Sequence, residues 1–258
     1  MKFWNMMNIK TLKPLLIIST LMCVVLVQGC FSGIDKKSSQ SIPVSWQSGF
    51  TLPDLLATPA KLQTVDDLKR LIIAPWYADI LVRNSKVGES VFSSCSDYFE
   101  QVMETTRTVK DNEMGPYLEF KAMCEGARIL MSSETSEWNY FPDLILDEDL
   151  PSKLPKNIAL QTSLEESMRN AKDVTLVHWQ DITPITTYEK QSTTKSTYRH
   201  NGGYQELEIV GRGDTNNDHV EDVIVVMRDY VEGGDYMNIQ ILVVSVDKQG
   251  GWQLINKI

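Results

Sequence analysis

The stretch GRGDTNNDHVEDVIVV, residues 211–226, decides the fold. Small and acidic residues run directly into VIVVMRDY, residues 223–230, which is apolar at its start, as a central strand is. Upstream lies YQELEIVG, residues 204–211. Downstream, Glu232-Gly-Gly-Asp235 turns the chain, MNIQILVVSV returns, and Gln249-Gly-Gly251 turns it again into WQLINKI. Further upstream, VTLVHWQ, ITPITTYEKQ and TTKSTYR are rich in Val, Ile, Thr and Tyr, and His200-Asn-Gly-Gly203 is a hairpin signal. From residue 174 onward the pattern predicts an antiparallel meander that ends the chain.

The first half reads differently. Thr64-Val-Asp-Asp67 has the form of a helix N-cap with acids in the first turn, and Leu68, Leu71 and Ile72 follow on one face. Pro75 ends or bends that helix. Phe92, Cys95, Phe99 and Val102 share a second helical face, and Phe120, Cys124, Ala127 and Leu130 a third. Gly115-Pro116 lies between these last two, so they pack as an antiparallel pair. Residues 55–135 therefore read as mostly helical. Residues 136–158 carry prolines and the acidic cluster Asp147, Glu148 and Asp149, and read as a solvated transition, with a second cation site at the cluster as the alternative. SLEESMRNAK, residues 163–172, predicts a short helix with Leu164 and Met168 inward. The expected class is α+β: an N-terminal helical part, residues 46–150, packed in one compact unit with a C-terminal antiparallel β-meander, residues 151–258.

The 258 residues carry a formal charge of −9, 42% hydrophobic and 23% charged residues, which is globular composition. An acidic chain without basic runs argues against nucleic acid as a partner. The N-terminus has Lys2, Lys10 and Lys13 and no acid, then the apolar run LLIISTLMCVVLV, residues 15–27. A positive start and an apolar run too short to span a bilayer predict an export signal over residues 1–29. Its removal takes three lysines and leaves 22 basic residues against 34 acidic ones, a charge of −12. Residues 31–41, FSGIDKKSSQS, are small, polar and Ser-rich, and predict a flexible tether over residues 30–45.

Of four cysteines, Cys23 lies within the leader and Cys30 at its end. Cys95 and Cys124 remain, and an even pair in an exported chain suggests a disulfide across the helix pair. Two reduced core cysteines are the alternative. A catalytic thiol is disfavoured, because both sit on apolar faces with no His near in sequence.

Val27-Gln28-Gly29-Cys30 resembles a bacterial lipobox. That resemblance implies acylation of Cys30, anchorage in a membrane of the cell envelope and, with Phe31 following the cysteine, the outer membrane facing the periplasm. The acidic loop has its own resemblance. Asp214, Asn216, Asp218 and Asp222 fall at positions one, three, five and nine, with Val220 able to offer a backbone carbonyl at seven. Oxygen ligands alternating along a tight loop suit a hard divalent cation. Val225 at position twelve, and a strand where a helix would follow, exclude an EF-hand. The pattern is similar to the calcium loop of integrin-type FG-GAP repeats, which implies structural Ca²⁺ between two antiparallel strands, held by those four side chains and the Val220 carbonyl. That family has Gly at the sixth position; here it is His219. The alternative is a turn rich in Asn and Asp that holds its own backbone. Arg212-Gly-Asp214 spells an integrin-recognition tripeptide, too short a match to weigh.

No GxSxG, HExxH, phosphate-binding or dinucleotide motif occurs, and His178, His200 and His219 stand apart in sequence. The expected function is a non-enzymatic envelope lipoprotein, a membrane-tethered binding or accessory module with a protein partner in the envelope. An inhibitor or immunity lipoprotein covering a basic enzyme or toxin is the first alternative. A hydrolase assembled from distant residues is the second.

Overall fold

In the computed structural model the described residues are 37–46, 55–58, 62–86, 88–103 and 105–258. The expected leader, residues 1–29, and Cys30 lie outside them. In chain order the elements are β1 (Lys37–Ile42), β2 (Ser45–Trp46), α1 (Val65–Ile73), β3 (Ile80–Asn84), β4 (Gly88–Phe92), α2 (Cys95–Gln101), β5 (Arg107–Thr108), α3 (Met114–Ser132), β6 (Ser136–Trp138), α4 (Leu150–Lys153), α5 (Leu164–Lys172), α6 (Trp179–Ile182), β7 (Ile185–Lys190), β8 (Lys195–His200), β9 (Gly203–Gly213), β10 (Asp222–Val231), β11 (Met237–Val246) and β12 (Trp252–Lys257). The fold is α+β, with the helical part first and the antiparallel meander β7 to β12 last.

β10 is the spine. The large sheet runs β12-β11-β10-β9-β8-β7, and short β2 lies beside β9 past the end of β8, on Gly211 and Arg212. Buried residues occupy both phases of β10, so both faces of the sheet must be covered. On one face Ile224 and Val226 join Val210, Ile239, Ile241 and Val243 against the helical layer. On the other, Val223, Val225 and Met227 join Leu207, Ile209, Leu242 and Val244 against Ile145, Leu146, Leu150, Leu154, Ile158 and Trp179.

α3 docks on the first face. Its Leu130 sits over Gly211, where an added Cβ would meet the Leu130 Cδ2 at 2.5 Å. Its Glu119 grips buried Arg228 of β10 through two hydrogen bonds, 2.9 and 3.0 Å long. A disulfide joins Cys95 of α2 to Cys124 of α3, with the Cα atoms 5.3 Å apart and both residues fully buried. Trp76 stacks on Phe120 with ring centroids 4.0 Å apart.

Several expectations are corrected. Residues 55–135 are not mostly helical, since β3, β4 and β5 form a three-stranded sheet inside them. ILVRN and GESVF carry the β-branched residues, and the turn between them ends at Gly88 with φ 89°. Residues 136–158 are not a solvated link: Ser136–Trp138 is strand β6, and Ile145, Leu146, Leu150, Leu154 and Ile158 are the lid of the second face. The irregular backbone there is satisfied by sheet side chains. Tyr188 Oη and Ser196 Oγ donate to the Leu146 carbonyl (2.7 and 3.0 Å), and Tyr198 Oη donates to that of Asp147 (2.7 Å). VTLVHWQ is no strand. Asp181 accepts the N–H groups of Val177 and His178, both at 2.8 Å, and starts α6 with Trp179 buried. Leu164 and Met168 point outward, 76% and 51% exposed, because α5 lies on the outside of the lid. The later half of the expected tether is not free chain: β1 pairs with β6 and β2 with β9. No helix among the described residues is long and apolar enough to cross a membrane.

Candidate functional site: the β9–β10 loop and the polar end of the sheet

The loop between β9 and β10 winds around one carboxylate. Asp214 is buried, and its Oδ1 accepts the N–H groups of Asn217 (2.7 Å), Asp218 (3.2 Å) and Asn216 (3.3 Å). Its Oδ2 accepts the N–H of His219 at 2.8 Å. Such a tight winding needs left-handed residues, and both Asn217 (φ 64°) and His219 (φ 67°) adopt that conformation. Asn does so at little cost; His gives up stability that Gly would keep. His219 therefore stands in a backbone state that glycine adopts freely.

The other expected ligands lie in or beside this loop. Asp218 Oδ1 accepts the Val220 N–H (2.8 Å), and its Oδ2 accepts from Asn216 Nδ2 (3.0 Å). Asn216 Oδ1 accepts the Asp218 N–H at 3.0 Å. Asp222, fully buried at the root of β10, accepts the Thr215 N–H (2.9 Å) and the Thr215 hydroxyl on Oδ2. Its Oδ1 is buried with no hydrogen-bond partner. Burial raises the Asp222 pKa above the usual carboxylate range, against the pull of the Thr215 and Ser245 hydroxyls. Glu221 is likewise raised by burial, opposed by Arg212, which lies 3.4 Å away.

The arrangement is thus a hydrogen-bonded Asx-rich loop. Among the described residues no three His, Cys, Asp or Glu side chains converge as a ready metal shell. The donor set nevertheless fits a hard cation in kind, being all oxygen, and Asp222 Oδ1 is a buried acceptor that a cation would satisfy. The loop is also braced from outside. Glu137 and Trp138 donate to the His219 carbonyl (2.8 and 3.1 Å), and Glu134 and Asp214 exchange both backbone hydrogen bonds.

A second polar site escaped the sequence reading. Gln205, Asp229 and Asn238 face one another in register across β9, β10 and β11. Asp229 Oδ1 accepts from Gln205 Nε2 (2.7 Å), and its Oδ2 accepts from Gln240 Nε2 (2.7 Å) and Asn238 Nδ2 (3.1 Å). Burial raises the Asp229 pKa, while these amides pull the other way. The signal was legible in principle: on β10 the phase Val223, Val225, Met227 continues to Asp229, a charge at a core-facing position. A third feature is an open acidic cleft of about 600 Å³, where Glu148 and Asp149 face Asp181.

No family model matches the chain, no curated protein is significantly similar to it, and no solved structure matches its fold at a significant level.

Proposed function

We propose that the chain is a non-enzymatic binding module of the bacterial envelope, anchored through lipidated Cys30 in the outer membrane and facing the periplasm. The reading rests on the lipobox-like Val27-Gln28-Gly29-Cys30 standing just ahead of a body whose strand pairing starts at Lys37. From Cys30 to Lys37 the chain reaches at most about 25 Å, so the anchor would hold the body close to the lipid surface. Labelling of the full chain with a clickable palmitate analogue tests this. Label and membrane fractionation are expected in the wild type and lost in Cys30→Ala; a wild-type chain without label would refute the anchor.

A structural Ca²⁺ on the β9–β10 loop belongs to the same reading. Asp214, Asn216, Asp218 and Asp222 would hold it with the Val220 carbonyl, joining the ends of the two central strands. Extracellular calcium modules bind in the 10⁻⁴–10⁻³ M range, so millimolar calcium should add roughly 1–2 kcal/mol of stability. The unfolding temperature is expected to rise with CaCl₂, fall back with chelator, and ignore calcium in Asp218→Ala. An unshifted wild type would leave the loop as an Asx turn.

The acidic cleft supports one second reading, an inhibitor or immunity lipoprotein that covers a basic enzyme or toxin. Its mark would be a basic partner released by salt and lost in a Glu148→Lys, Asp149→Lys double variant.

A further inference from the structure

We propose that the small polar cavity at the end of the central sheet binds a free α-amino acid as its zwitterion, with the ammonium on Asp229 and the carboxylate on Lys257. The cavity holds about 270 Å³, and Asp229, Asn238, Gln240, Ser167 and Lys257 are among the residues that line it. That volume lies just below the range for drug-sized ligands and suits a molecule of few heavy atoms.

The carboxylate is the first reason. Asp229 is 1% exposed, and its hydrogen-bond donors are neutral amides. An ionised carboxylate offers about four lone-pair directions. Gln240 and Asn238 use two on Oδ2, and Gln205 uses one on Oδ1, which leaves one on Oδ1. The carboxylate is itself part of the cavity wall, and Lys257 acts on it through its charge while its Nζ is hydrogen-bonded to the Asn157 carbonyl. An open acceptor on a buried negative charge in the wall takes a donor that is also positive, and a primary ammonium, with three N–H groups, is both.

The opposite wall sets the other half of the ligand. Lys257 is exposed at the rim and donates to the Asn157 carbonyl, while partial desolvation lowers its pKa below the usual lysine value. A purely cationic ligand would meet its repulsion. A ligand carrying a carboxylate beside the ammonium turns that repulsion into a second ion pair.

Titration calorimetry on the full chain tests the assignment, with the twenty free amino acids and D-alanine as probes and methylamine and acetate as single-charge controls. One-to-one binding of at least one amino acid is expected, with neither control binding. Asp229→Asn and Lys257→Met should each weaken binding about tenfold or more. Lys257 lies at the surface, so its variant reads out the site even where Asp229→Asn fails to fold. Methylamine that binds, and binds as well or better in Lys257→Met, would show a simple cation site and overturn the zwitterion. No binding of any amino acid at millimolar concentration would overturn the site.

Discussion

At the scale of single residues, the protein spends carboxylates on backbone. Asp97 accepts the Ser93 N–H (3.0 Å) and the hydroxyls of Ser93 (2.8 Å) and Ser94 (2.9 Å), while Ser94 Oγ accepts the Asp97 N–H (3.2 Å). Although burial pushes the other way, those hydrogen bonds hold the Asp97 pKa below its usual value. A carboxyl with a lowered folded pKa contributes stability that is complete above its unfolded value, near 3.9, and is lost as the pH falls through the folded value. In urea unfolding, the stability lead of the wild type over Asp97→Asn should therefore be full at pH 7 and shrink below about pH 4. Ser94→Ala should cost about 1 kcal/mol at pH 7 by removing the cap, and less below about pH 4, where its hydrogen bond to the Asp97 carboxylate is lost. Asp229 has the opposite linkage: with its folded pKa raised, its ionised form weighs against folding at neutral pH, and the penalty lifts as the pH falls through the folded value.

At the scale of elements, the docking of α3 on the sheet carries two separate constraints. One is steric: Gly211 leaves room for Leu130, and the Ser45 carbonyl lies 3.1 Å from where a Cβ would stand. Gly211→Ala should destabilise by roughly 1–3 kcal/mol, as overpacking does. Paired with Leu130→Ala it should cost less than the sum of the two changes, which a double-mutant cycle in urea would measure. Strict additivity would mean that the helix does not rest on this glycine. The other constraint is electrostatic. Arg228 is 7% exposed and is bound by Glu119 from α3 and by Glu208 from β9, the latter at 3.1 Å. Arg228→Met leaves these carboxylates facing one another without their cation, and a loss of about 3–5 kcal/mol is expected in the same assay.

At the scale of the whole molecule, a layer on each face of one sheet creates the core, and the disulfide stiffens the helical layer. Cys95 and Cys124 close a loop of separation 29. In the chain-entropy model that contributes about 3–4 kcal/mol. A Cys95→Ala, Cys124→Ala double variant should lose that much in denaturant unfolding and become insensitive to reductant.

The meander was legible because its signals are local. Period-two patterning, Gly-rich turns and an apolar run each act within a few residues, so β7 to β12, apart from the misread strand at residues 174–180, could be traced from the chain alone. The disulfide was legible from the even cysteine pair, and helical spacing put Cys124 on a buried face of α3; the expected α2 face was not, since Phe92 lies in β4, α2 begins at Cys95, and Gly115-Pro116 lies inside α3. The strain at His219 was legible too, since the position of a residue within a tight loop is a local fact.

What only the tertiary structure decided depends on partners distant in sequence. Residues 136–158 look like polar linker, because their prolines and acids are local facts, while the use of Ile145, Leu146 and Leu150 as a lid depends on the sheet beneath. Leu164 and Met168 have the spacing of a buried face, yet α5 buries no residue, and whether a face is covered depends on neighbours distant in sequence. Gln205, Asp229 and Asn238 come from three strands, and only their register makes a site. Local patterning determined the strands of the meander and the helices α1, α3 and α5; the β3–β5 sheet, helix α6, burial and ligand geometry belong to contacts between segments, and no short window of sequence contains both sides of such a contact.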